Sequence, residues 1–282
     1  MNEIKPVREP INLQLTINKK YVPQLLVLLT SIFLNNPQER FQLYLLHNDL
    51  PTEYCKKIEM CCSKYGYALH LITVPNELFQ NAPTNNRYPK EMYYRLMAPQ
   101  LLPPKLERVL YLDPDILVIN QLSPLWQIDM QNKLFAAASH IGKTDLTKNV
   151  NKIRLKMDNA YYNSGVLLMN LNLGRQEIKP DEVFRFVIEH ENTLLLPDQD
   201  ILNAMYGRRI LPVEDVLWNY DARNYATYLL RSEGLCDINW IIKHTAILHF
   251  CGRAKPWKQH YIYRFGTLYK HYMQLTERIL SY

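Results

Sequence analysis

The sequence predicts an α/β fold in which a parallel sheet is flanked by helices. Three observations carry this prediction: strands and helices alternate from Ile11 to Val74, a polar turn joins the first strand to an apolar helix, and an apolar strand at 108–112 runs directly into two aspartates. Such alternation is typical of right-handed βαβ units on a parallel sheet. Ligands of such sheets bind beyond the carboxyl ends of the strands, so polar residues there are candidate site residues.

The first predicted elements are a strand, a turn and a helix. Residues 11–17 (INLQLTI) alternate apolar and polar side chains, as a half-buried strand does, and the polar turn 18–20 separates them from an apolar helix that extends to Leu34. The pattern then continues as a loop at 35–37, a strand at 41–46, a helix from about residue 52 to 65 and a strand at 68–74.

The later elements follow less regularly. Residues 90–101 have helical periodicity, and Pro103 and Pro104 end this helix before the strand at 108–112. After that strand come a short strand from Leu134 (LFAAAS), a polar and basic stretch through Met157, a strand at 165–170, and helices and loops to the end of the chain.

Composition indicates a structured protein with anionic ligands. The 282 residues are 48% hydrophobic and 21% charged, which fits one large domain or two closely packed halves. Only 8 glycines occur against 20 tyrosines and 17 prolines, so no disordered tail is expected. A net charge of +6 favours nucleotide phosphates, nucleic acid or an acidic membrane face. Nucleic acid is the weakest of the three, because the basic residues are dispersed and no recognised binding motif occurs.

The cysteines and the apolar segments indicate a cytoplasmic protein. The 5 cysteines are odd in number, Cys61 and Cys62 are adjacent, and no CxxC pair occurs, so a reducing compartment is predicted. Residues 1–10 lack the apolar core of a secretory signal. The longest apolar stretch, Tyr21–Leu34, is shorter than the ~20 residues of a membrane-spanning helix and contains Pro23.

Two aspartates interrupt the apolar run RVLYLDPDILVIN at the end of a predicted buried strand. Asp113 and Asp115, two positions apart, can point the same way, and Pro114 between them cannot donate to a neighbouring strand. Carboxylate oxygens of this kind suit Mg²⁺ or Mn²⁺ that bridges a diphosphate. The alternative is a solvated turn, since Asp-Pro-Asp is common in turns. The apolar strand before the acids favours the metal.

The segment AILHFCGRAKPW is a candidate second part of the same site. It places His249 at the end of another apolar strand, followed by Gly252 and Lys255. An imidazole is a reasonable third ligand for Mn²⁺, the glycine lets backbone approach a phosphate, and the lysine supplies positive charge. A single histidine in an apolar strand is more often structural, so this interpretation depends on the two aspartates.

Two more polar segments stand at the ends of predicted elements. Residues 163–165 (NSG) precede the strand VLLMN, and residues 198–200 (DQD) precede the helix ILNAMY. For 198–200 the alternative is an ordinary helix N-cap, where acidic residues favour the helix dipole. In combination with the other polar segments, both are candidate parts of one site.

Taken in order, the segments YRL, YLDPDILV, NSGVLLMNL, DQDILN and HFCGRAKPW resemble glycosyltransferase family 8, over nearly the whole chain. The family includes bacterial lipopolysaccharide galactosyl- and glucosyltransferases and the glycogenins. The resemblance implies a GT-A fold, with a Rossmann-like mixed central sheet flanked by helices, as a single domain over 1–282. Its nucleotide-binding half would span about 10–120, its sugar and acceptor half about 121–258, and a helical, aromatic and basic segment 259–282.

The resemblance also implies a ligand set. Asp113 and Asp115 match the pair that holds Mn²⁺ (or Mg²⁺) against the UDP diphosphate, with His249 as the third protein ligand and Pro114 beside the nucleotide. Gly252 and Lys255 match diphosphate contacts. The positions that hold the donor hexose are matched by Arg95, Asp113, Asn163, Ser164, Asp198 and Gln199.

The reaction implied is transfer of a hexose from a UDP-sugar with retention of configuration. Gln199 and Asp200 are the candidate catalytic residues near the anomeric carbon. An amide is a poor nucleophile compared with a carboxylate such as Asp200, and we therefore favour front-face substitution through an oxocarbenium-like state over a double displacement through Gln199.

The amino-terminal loop departs from the family pattern. Relatives carry an acidic run and an asparagine before the tyrosine, whereas this chain reads TINKKY from Thr16 to Tyr21. Thr16, Asn18 and Tyr21 remain the candidate nucleotide contacts, with Asn18 accepting from uracil and Tyr21 stacking on the base. Lys19 and Lys20 add positive charge there and leave the nucleotide preference open.

The predicted partners are a nucleotide-sugar donor and a saccharide or lipid-linked saccharide acceptor. Residues 260–282 mix aromatic and basic side chains, which suits peripheral contact with the inner face of the membrane, although packing against the rest of the protein is the commoner explanation. Glucose and galactose are not distinguished, and the oligomeric state is left open. The alternatives are a non-catalytic nucleotide-sugar-binding relative and a metal-dependent nucleotidyltransferase, although no glycine precedes Gly66 to form a phosphate loop.

Overall fold

The computed structural model describes residues 9–80, 82–83, 90–139, 154–155 and 157–281, which form two sheets surrounded by helices. The strands are β1 (Ile11–Thr16), β2 (Phe41–His47), β3 (Ala68–Thr73), β4 (Arg108–Leu112), β5 (Ile116–Val118), β6 (Phe135–Ala138), β7 (Val166–Asn170), β8 (Ile210–Val213), β9 (Tyr220–Asp221) and β10 (Ile247–His249). The strand predictions are therefore confirmed to within a residue or two at their ends.

The helices surround these sheets, and short 3₁₀ turns occur at Lys19–Tyr21, Asn76–Phe79 and Gly207–Arg209. They are α1 (Val22–Asn35), α2 (Thr52–Ser63), α3 (Glu91–Tyr94), α4 (Ala98–Leu101), α5 (Ser123–Trp126), α6 (Leu171–Glu177), α7 (Pro180–His190), α8 (Pro197–Tyr206), α9 (Asp215–Trp218), α10 (Tyr225–Arg231), α11 (Ile238–His244) and α12 (Gly266–Ser281).

The larger sheet has seven strands in the order β3-β2-β1-β4-β7-β6-β8. Strands β3, β2, β1 and β4 run parallel, and β7 runs antiparallel to both β4 and β6. The mixed central sheet implied by the family resemblance is therefore confirmed. Because β1 and β4 are parallel neighbours in its centre, their carboxyl ends open at the same edge of the sheet.

Helix α1 forms because residues 22–35 are almost uniformly apolar and because Pro23 lies in its first turn, where a missing N–H costs nothing. Leu25, Leu28 and Ile32 are fully buried against the sheet. A helix that is apolar on all sides must be covered on all sides. Helix α12 provides part of this cover, and its Tyr269 is itself buried.

The smaller sheet brings the carboxyl-terminal part of the chain to the carboxyl end of β4. Its order is β5-β10-β9, with β10 antiparallel to β5 and parallel to β9. His249, the last residue of β10, stands opposite Ile116 on one side and Asp221 on the other. Strand β5 follows the two aspartates directly, so this pairing places His249 beside them.

The prediction of one continuous helix over residues 90–101 is wrong, because the structure has two single turns, α3 and α4, separated at residues 95–97. Pro99 explains the break. It has no N–H to donate to the carbonyl of Arg95, and its ring would clash with that carbonyl in a continuous helix. The break leaves Arg95 at the end of a turn, from which its side chain reaches the candidate site.

Some predictions fall partly outside the described residues. These are the character of residues 1–8 and most of the polar and basic stretch that extends through Met157. The predicted carboxyl-terminal helix is confirmed as α12. In the part of the chain that the structure describes, no helix has both the length and the apolar character needed to cross a bilayer.

Candidate active site

The two aspartates are each fixed by the strands around them. The backbone N–H of Asp113 donates to the carbonyl of Gly165 at 2.8 Å, which continues the pairing of β4 with β7 by one residue. The carbonyl of Asp115 accepts from the N–H of Phe250 at 3.0 Å, just beyond β10. Each acid is therefore anchored to a different neighbouring strand, and Pro114 forms the turn between them.

Asp113, Asp115 and His249 form a cluster in which one ligand atom from each residue lies within 4.8 Å of the others. His249 Nε2 is 3.2 Å from Asp115 Oδ1 and 3.8 Å from Asp113 Oδ2. The opposite ring nitrogen, Nδ1, is 2.8 Å from Asn219 Oδ1, to which it can donate. Such a contact orients an imidazole so that its other nitrogen faces a metal, as partners of metal-binding histidines do.

The two carboxylates of the cluster lie in different electrostatic surroundings. Burial and repulsion from Asp115 raise the pKa of Asp113, although Arg95 counteracts them. Burial alone would also raise the pKa of Asp115, but His249 and Lys255 outweigh it and lower that pKa well below its usual range. Charge on Asp113 is therefore stabilised by any additional positive charge placed between the acids.

The pKa of His249 is also shifted from its usual value. Burial lowers its pKa, but Cys251 and Asp115 outweigh this effect and raise the pKa of His249 well above its usual value. A proton and a metal ion would compete for the same Nε2 atom, because only the neutral imidazole is a ligand.

Gly165 forms part of the wall of the cluster. A β-carbon at this position would lie 2.3 Å from His249 Cε1, 2.6 Å from Asp113 Oδ2 and 3.1 Å from Asn163 Oδ1. Real side chains do not approach this closely, so only glycine fits immediately before β7 without displacing two members of the cluster. The sequence analysis included Gly165 in a polar segment but did not assign it this role.

Arg95 connects the cluster to the 198–200 segment. Its Nη2 lies 3.0 Å from Asp113 Oδ1, and its Nη1 lies 2.8 Å from Asp198 Oδ2 and donates to Ser164 Oγ at 3.0 Å. Ser164 Oγ in turn donates to Asp198 Oδ2 at 3.0 Å. The guanidinium also stacks 4.7 Å from the ring centroid of Tyr111. The structure thus brings together four residues that the sequence analysis selected from separate segments.

Three amides form a chain from His249 to the start of α8. Asn219 Nδ2 donates to Asn163 Oδ1 at 2.9 Å, and Asn163 Nδ2 donates to Gln199 Oε1 at 3.1 Å. The chain uses the Gln199 oxygen and leaves its NH₂ group for other partners. Asn219 is fully buried and was missed by the sequence analysis. The signal was its position between the apolar residues Trp218 and Tyr220, the same kind of polar interruption as at 113–115.

Asp200 points away from this chain and is fully buried. Arg154 pairs with both of its oxygens at 2.7 and 2.8 Å, and Tyr161 donates to Oδ1 at 2.5 Å. The N–H groups of Leu195 and Leu196 donate to Oδ2 at 2.6 and 3.0 Å. Burial opposes ionisation, but these donors together lower the pKa of Asp200.

Two cavities lie on either side of the acids. One, of about 350 Å³, is lined by Thr16, Asn18, Tyr21, Arg95 and Asp198 among others, and the other, of about 370 Å³, by Asn163, Gln199, Arg223, Cys251 and Gly252 among others. Asp113, Asp115 and Asp198 line both cavities. The acids therefore lie where two spaces that small molecules can enter adjoin each other.

The amino-terminal loop supplies polar groups to the first cavity. Thr16 Oγ1 is buried and has no hydrogen-bond partner among the described residues. Asn18 Oδ1 accepts from the N–H of Lys20 at 3.0 Å and so caps the 3₁₀ turn at 19–21. The ring of Tyr21 meets Trp257 edge to face, with centroids 6.4 Å apart.

Lys255 and Gly252 lie where the motif at 249–257 predicts them. Lys255 Nζ forms an ion pair with Asp115 and donates to the carbonyl of Phe250 at 2.8 Å. Gly252 adopts φ +79°, a backbone conformation that residues other than glycine rarely adopt. All the predicted ligand residues except Asp200 thus border the acids or the two cavities.

The fold and this site together define a class: an α/β enzyme with two carboxylates and a histidine, a group that could hold a metal ion, at the carboxyl ends of its strands. The profile of glycosyl transferase family 8 matches residues 12–260. The chain belongs to glycosyl transferase family 8. The predictions of this family and of a hexosyltransferase enzyme are therefore confirmed.

Sequence similarity to two named proteins is consistent with this family. General stress protein A of Bacillus subtilis is 29% identical over 255 residues, which cover 88% of this chain and 87% of that protein. A lipopolysaccharide 1,2-glucosyltransferase of Escherichia coli is 25% identical over 259 residues, which cover 89% of this chain and 74% of that protein.

A solved structure gives the fold. The galactosyltransferase LgtC, in complex with donor and acceptor sugar analogues, superposes with a TM-score of 0.78 at 22% identity, covering 94% of this chain and 96% of that one. The GT-A fold implied by the sequence is confirmed.

Proposed function

We propose that the protein transfers a hexose, with retention of configuration, from a UDP-sugar to a saccharide or lipid-linked saccharide acceptor. The observation that carries this proposal is the convergence of Asp113, Asp115 and His249 within 4.8 Å between two cavities. The first cavity would accommodate the nucleotide, and the second, which Asn163 and Gln199 line, would accommodate the transferred sugar and the acceptor beside it.

The three side chains fit a divalent cation. Two carboxylates and one imidazole are a donor set that Mn²⁺ accepts, and Mg²⁺ is the alternative when oxygen ligands dominate. Asn219 would hold the imidazole with Nε2 toward the acids. A bound cation would supply electrostatic stabilisation for the negative charge that develops on the departing diphosphate. Lys255 and the backbone at Gly252 add to that stabilisation from the other side of Asp115.

The nucleotide would lie in the cavity with the amino-terminal loop. Thr16 Oγ1 needs a partner there, Asn18 retains a second lone pair on its amide oxygen, and Tyr21 offers a ring for stacking. Pro114 lines the same cavity. These contacts support a nucleotide, and the uracil preference follows from the family resemblance.

The donor sugar would be held by the network around Arg95, with Asn163, Ser164, Asp198 and Gln199 as its hydrogen-bonding partners. We favour front-face substitution, in which the acceptor hydroxyl enters on the side from which the diphosphate leaves. Asp200 supports this choice, because both of its oxygens already accept several hydrogen bonds and it is fully buried. In this mechanism Asp200 positions the start of α8, and Gln199 contacts the sugar. Detection of a covalent glycosyl adduct on Asp200 by mass spectrometry would overturn it.

The acceptor class follows from relatives that act on lipopolysaccharide, as the named E. coli glucosyltransferase does. We place the reaction in the cytoplasm, in keeping with five cysteines that are all unpaired. Contact of residues 260–282 with the membrane stays a prediction. Co-sedimentation with anionic vesicles, and its loss when the exposed Lys270 and Arg278 are replaced by glutamine, tests it.

The decisive experiment is release of UDP from UDP-glucose and UDP-galactose, with and without Mn²⁺. We expect release that depends on the metal and that falls by at least ~100-fold in Asp115→Asn, in the range of effects seen when charge stabilisation is removed from a transition state. Asp158→Asn is the matched control, since Asp158 is an exposed acid paired with Arg208 on the surface. Metal-independent release, or equal loss in both variants, contradicts the proposal.

Nucleotide preference needs a separate measurement. Calorimetric titration with UDP, GDP and CDP in the presence of Mn²⁺ should give the tightest binding for UDP. Tighter binding of GDP or CDP refutes the uracil assignment while leaving the metal cluster and the transferase chemistry in place.

A further inference from the structure

Arg223 lines the second cavity and has no role in the proposed chemistry. It is the only arginine or lysine among the described residues that line this cavity, which also includes Gln199 and Gly252. It does not line the cavity formed by the amino-terminal loop. The guanidinium therefore borders the cavity that holds the sugar and the acceptor in the proposed function, and it does not border the cavity of the amino-terminal loop.

Asp221 fixes the direction of this guanidinium. Arg223 Nε donates to Asp221 Oδ1 at 2.9 Å and Nη2 donates to Oδ2 at 2.7 Å, which is a bidentate pair. Asp221 also accepts from the N–H of Arg223 and from Asn224 Nδ2, and its side chain is only 2% exposed. Because Asp221 ends β9 opposite His249 in β10, the arginine is attached to the same framework as the metal cluster.

Gly252 makes room for the remaining edge of the guanidinium. A β-carbon on Gly252 would lie 2.2 Å from Arg223 Nη1, so that nitrogen occupies the space a side chain would fill. Asp221 uses Nε and Nη2, and Nη1 with its two N–H groups faces Gly252 at the cavity wall. Nη1 and the second N–H of Nη2 together form a planar guanidinium edge, which is suited to the paired oxygens of a phosphate or a carboxylate.

We infer that Arg223 binds an anionic group, a phosphate or a carboxylate, on the acceptor saccharide. This inference rests on the proposed function, because it assigns the acceptor to the second cavity and the nucleotide to the first. The three acids of the cavity do not oppose an anion there, since Arg95 pairs with Asp113 and Asp198, and Lys255 pairs with Asp115. Arg223 thus selects charged acceptors over neutral ones.

The test is calorimetric titration of the protein saturated with UDP and Mn²⁺, so that the diphosphate site is filled. Glucose 6-phosphate and glucuronic acid are the anionic probes, and glucose is the neutral one. We expect at least one anionic probe to bind about tenfold or more tightly than glucose, as one charge-assisted hydrogen bond provides. Arg223→Gln should reduce the affinity for that anionic probe to the affinity for glucose. Arg223→Lys should retain part of the preference for the anionic probe over glucose. The probe that loses affinity identifies phosphate or carboxylate.

Arg231→Gln is the matched control. Arg231 pairs with Asp215, and the two side chains are 33% and 2% exposed, against 32% and 2% for Arg223 and Asp221. The substitution Arg231→Gln therefore leaves a comparable buried aspartate without its arginine. Arg231 itself does not line the second cavity. The preference for the anionic probe should survive in Arg231→Gln.

Three results overturn the inference: anionic probes that bind no better than glucose to the unmodified protein, a preference that survives Arg223→Gln, or a loss of UDP affinity in Arg223→Gln as large as the loss for the anionic probe. The last result would assign Arg223 to the donor diphosphate. Failure of the unmodified protein to bind UDP at all is a different outcome, which defeats the proposed function and this inference with it.

Discussion

At the scale of single residues, the group of Asp113, Asp115 and His249 depends as much on an absent side chain as on the three side chains that form it. Gly165 lies against His249 and Asp113 with no space for a β-carbon. The three side chains approach one another only because the residue immediately before β7 projects nothing into the cluster. A ligand set chosen from carboxylates and histidines alone would omit this residue.

We predict that Gly165→Ala abolishes metal binding while the protein remains folded. The added carbon would displace His249 Cε1 and Asp113 Oδ2, which lie 2.3 and 2.6 Å from its position. Titration of Mn²⁺ followed by electron paramagnetic resonance measures the loss directly, and a circular dichroism spectrum verifies the fold.

Gly234→Ala is the control for Gly165→Ala. Gly234 has φ +90° and open space around its β-carbon position, so alanine there is strained but touches nothing. It should lower the melting temperature and leave Mn²⁺ affinity unchanged. Normal Mn²⁺ affinity in Gly165→Ala would show that the cluster tolerates a displacement the geometry forbids.

His47 is predicted to make stability depend on pH. Burial lowers its pKa below 6.5, although Asp49 opposes the shift, and its Nδ1 has no partner among the described residues. The folded protein therefore binds this proton less readily than the unfolded chain. Stability from this residue is complete above pH 6.5 and falls as the pH decreases from there through the lowered pKa.

Urea denaturation at pH 8 and pH 5.5 tests the prediction for His47. The protein should lose more stability between these two values than His47→Gln does, because glutamine cannot be protonated. Since other groups titrate in both proteins, the difference between the two losses is the relevant quantity. Equal losses would contradict the lowered pKa.

At the scale of elements, the short helices α4 and α6 pack closely against each other. Helix α6 contacts α4 through Gly174, where a β-carbon would lie 2.5 Å from Pro99 Cγ. Pro99 also breaks the helix that would otherwise run through Arg95. The same proline thus releases Arg95 toward the site and provides the surface on which α6 packs.

We predict that Gly174→Ala destabilises the protein by about 1–3 kcal/mol, the usual cost of overpacking, despite the gain of up to ~1 kcal/mol in helix propensity that alanine brings. Urea denaturation gives the value. The double variant Gly174→Ala with Pro99→Ala should be more stable than the sum of the two single effects implies, because the clash is gone. Strict additivity would indicate that the two helices separate without cost.

At the scale of the whole molecule, the reactivity of the buried thiols reports whether the core stays closed. Cys61 and Cys62 lie on α2 against the sheet and are buried, and burial raises the pKa of Cys61 to about 11. At pH 8 both thiols should be protonated and inaccessible in the folded protein. Cys55 and Cys236 are partly exposed.

Alkylation with iodoacetamide at pH 8, read by peptide mass spectrometry, should therefore modify Cys55 and Cys236 in the native protein and leave Cys61 and Cys62 unmodified. In guanidinium chloride all five cysteines should react. Native labelling of Cys61 at the rate of Cys236 would mean that α2 separates from the sheet on the time scale of the reaction.

The sequence by itself determined the order of the first strands and helices and the polar residues at the ends of several strands. Hydrophobic periodicity depends on neighbours a few positions apart, so the strands at 11–16, 41–47, 68–73 and 108–112 could be located locally. Polar residues that interrupt such apolar runs at 113–115, 163–165 and 249–255 identified most of the candidate site.

Only the tertiary structure decided which of those polar residues meet. Asp200 has the same local signal as Asp198, yet its contacts with Arg154 and Tyr161 turn it into the protein interior. Asn219 and Arg223 carry weak local signals and acquire their positions through the pairing of β9 with β10. The reason is physical. Groups distant in sequence set the burial and the direction of a polar side chain, whereas hydrophobic periodicity depends only on residues a few positions apart.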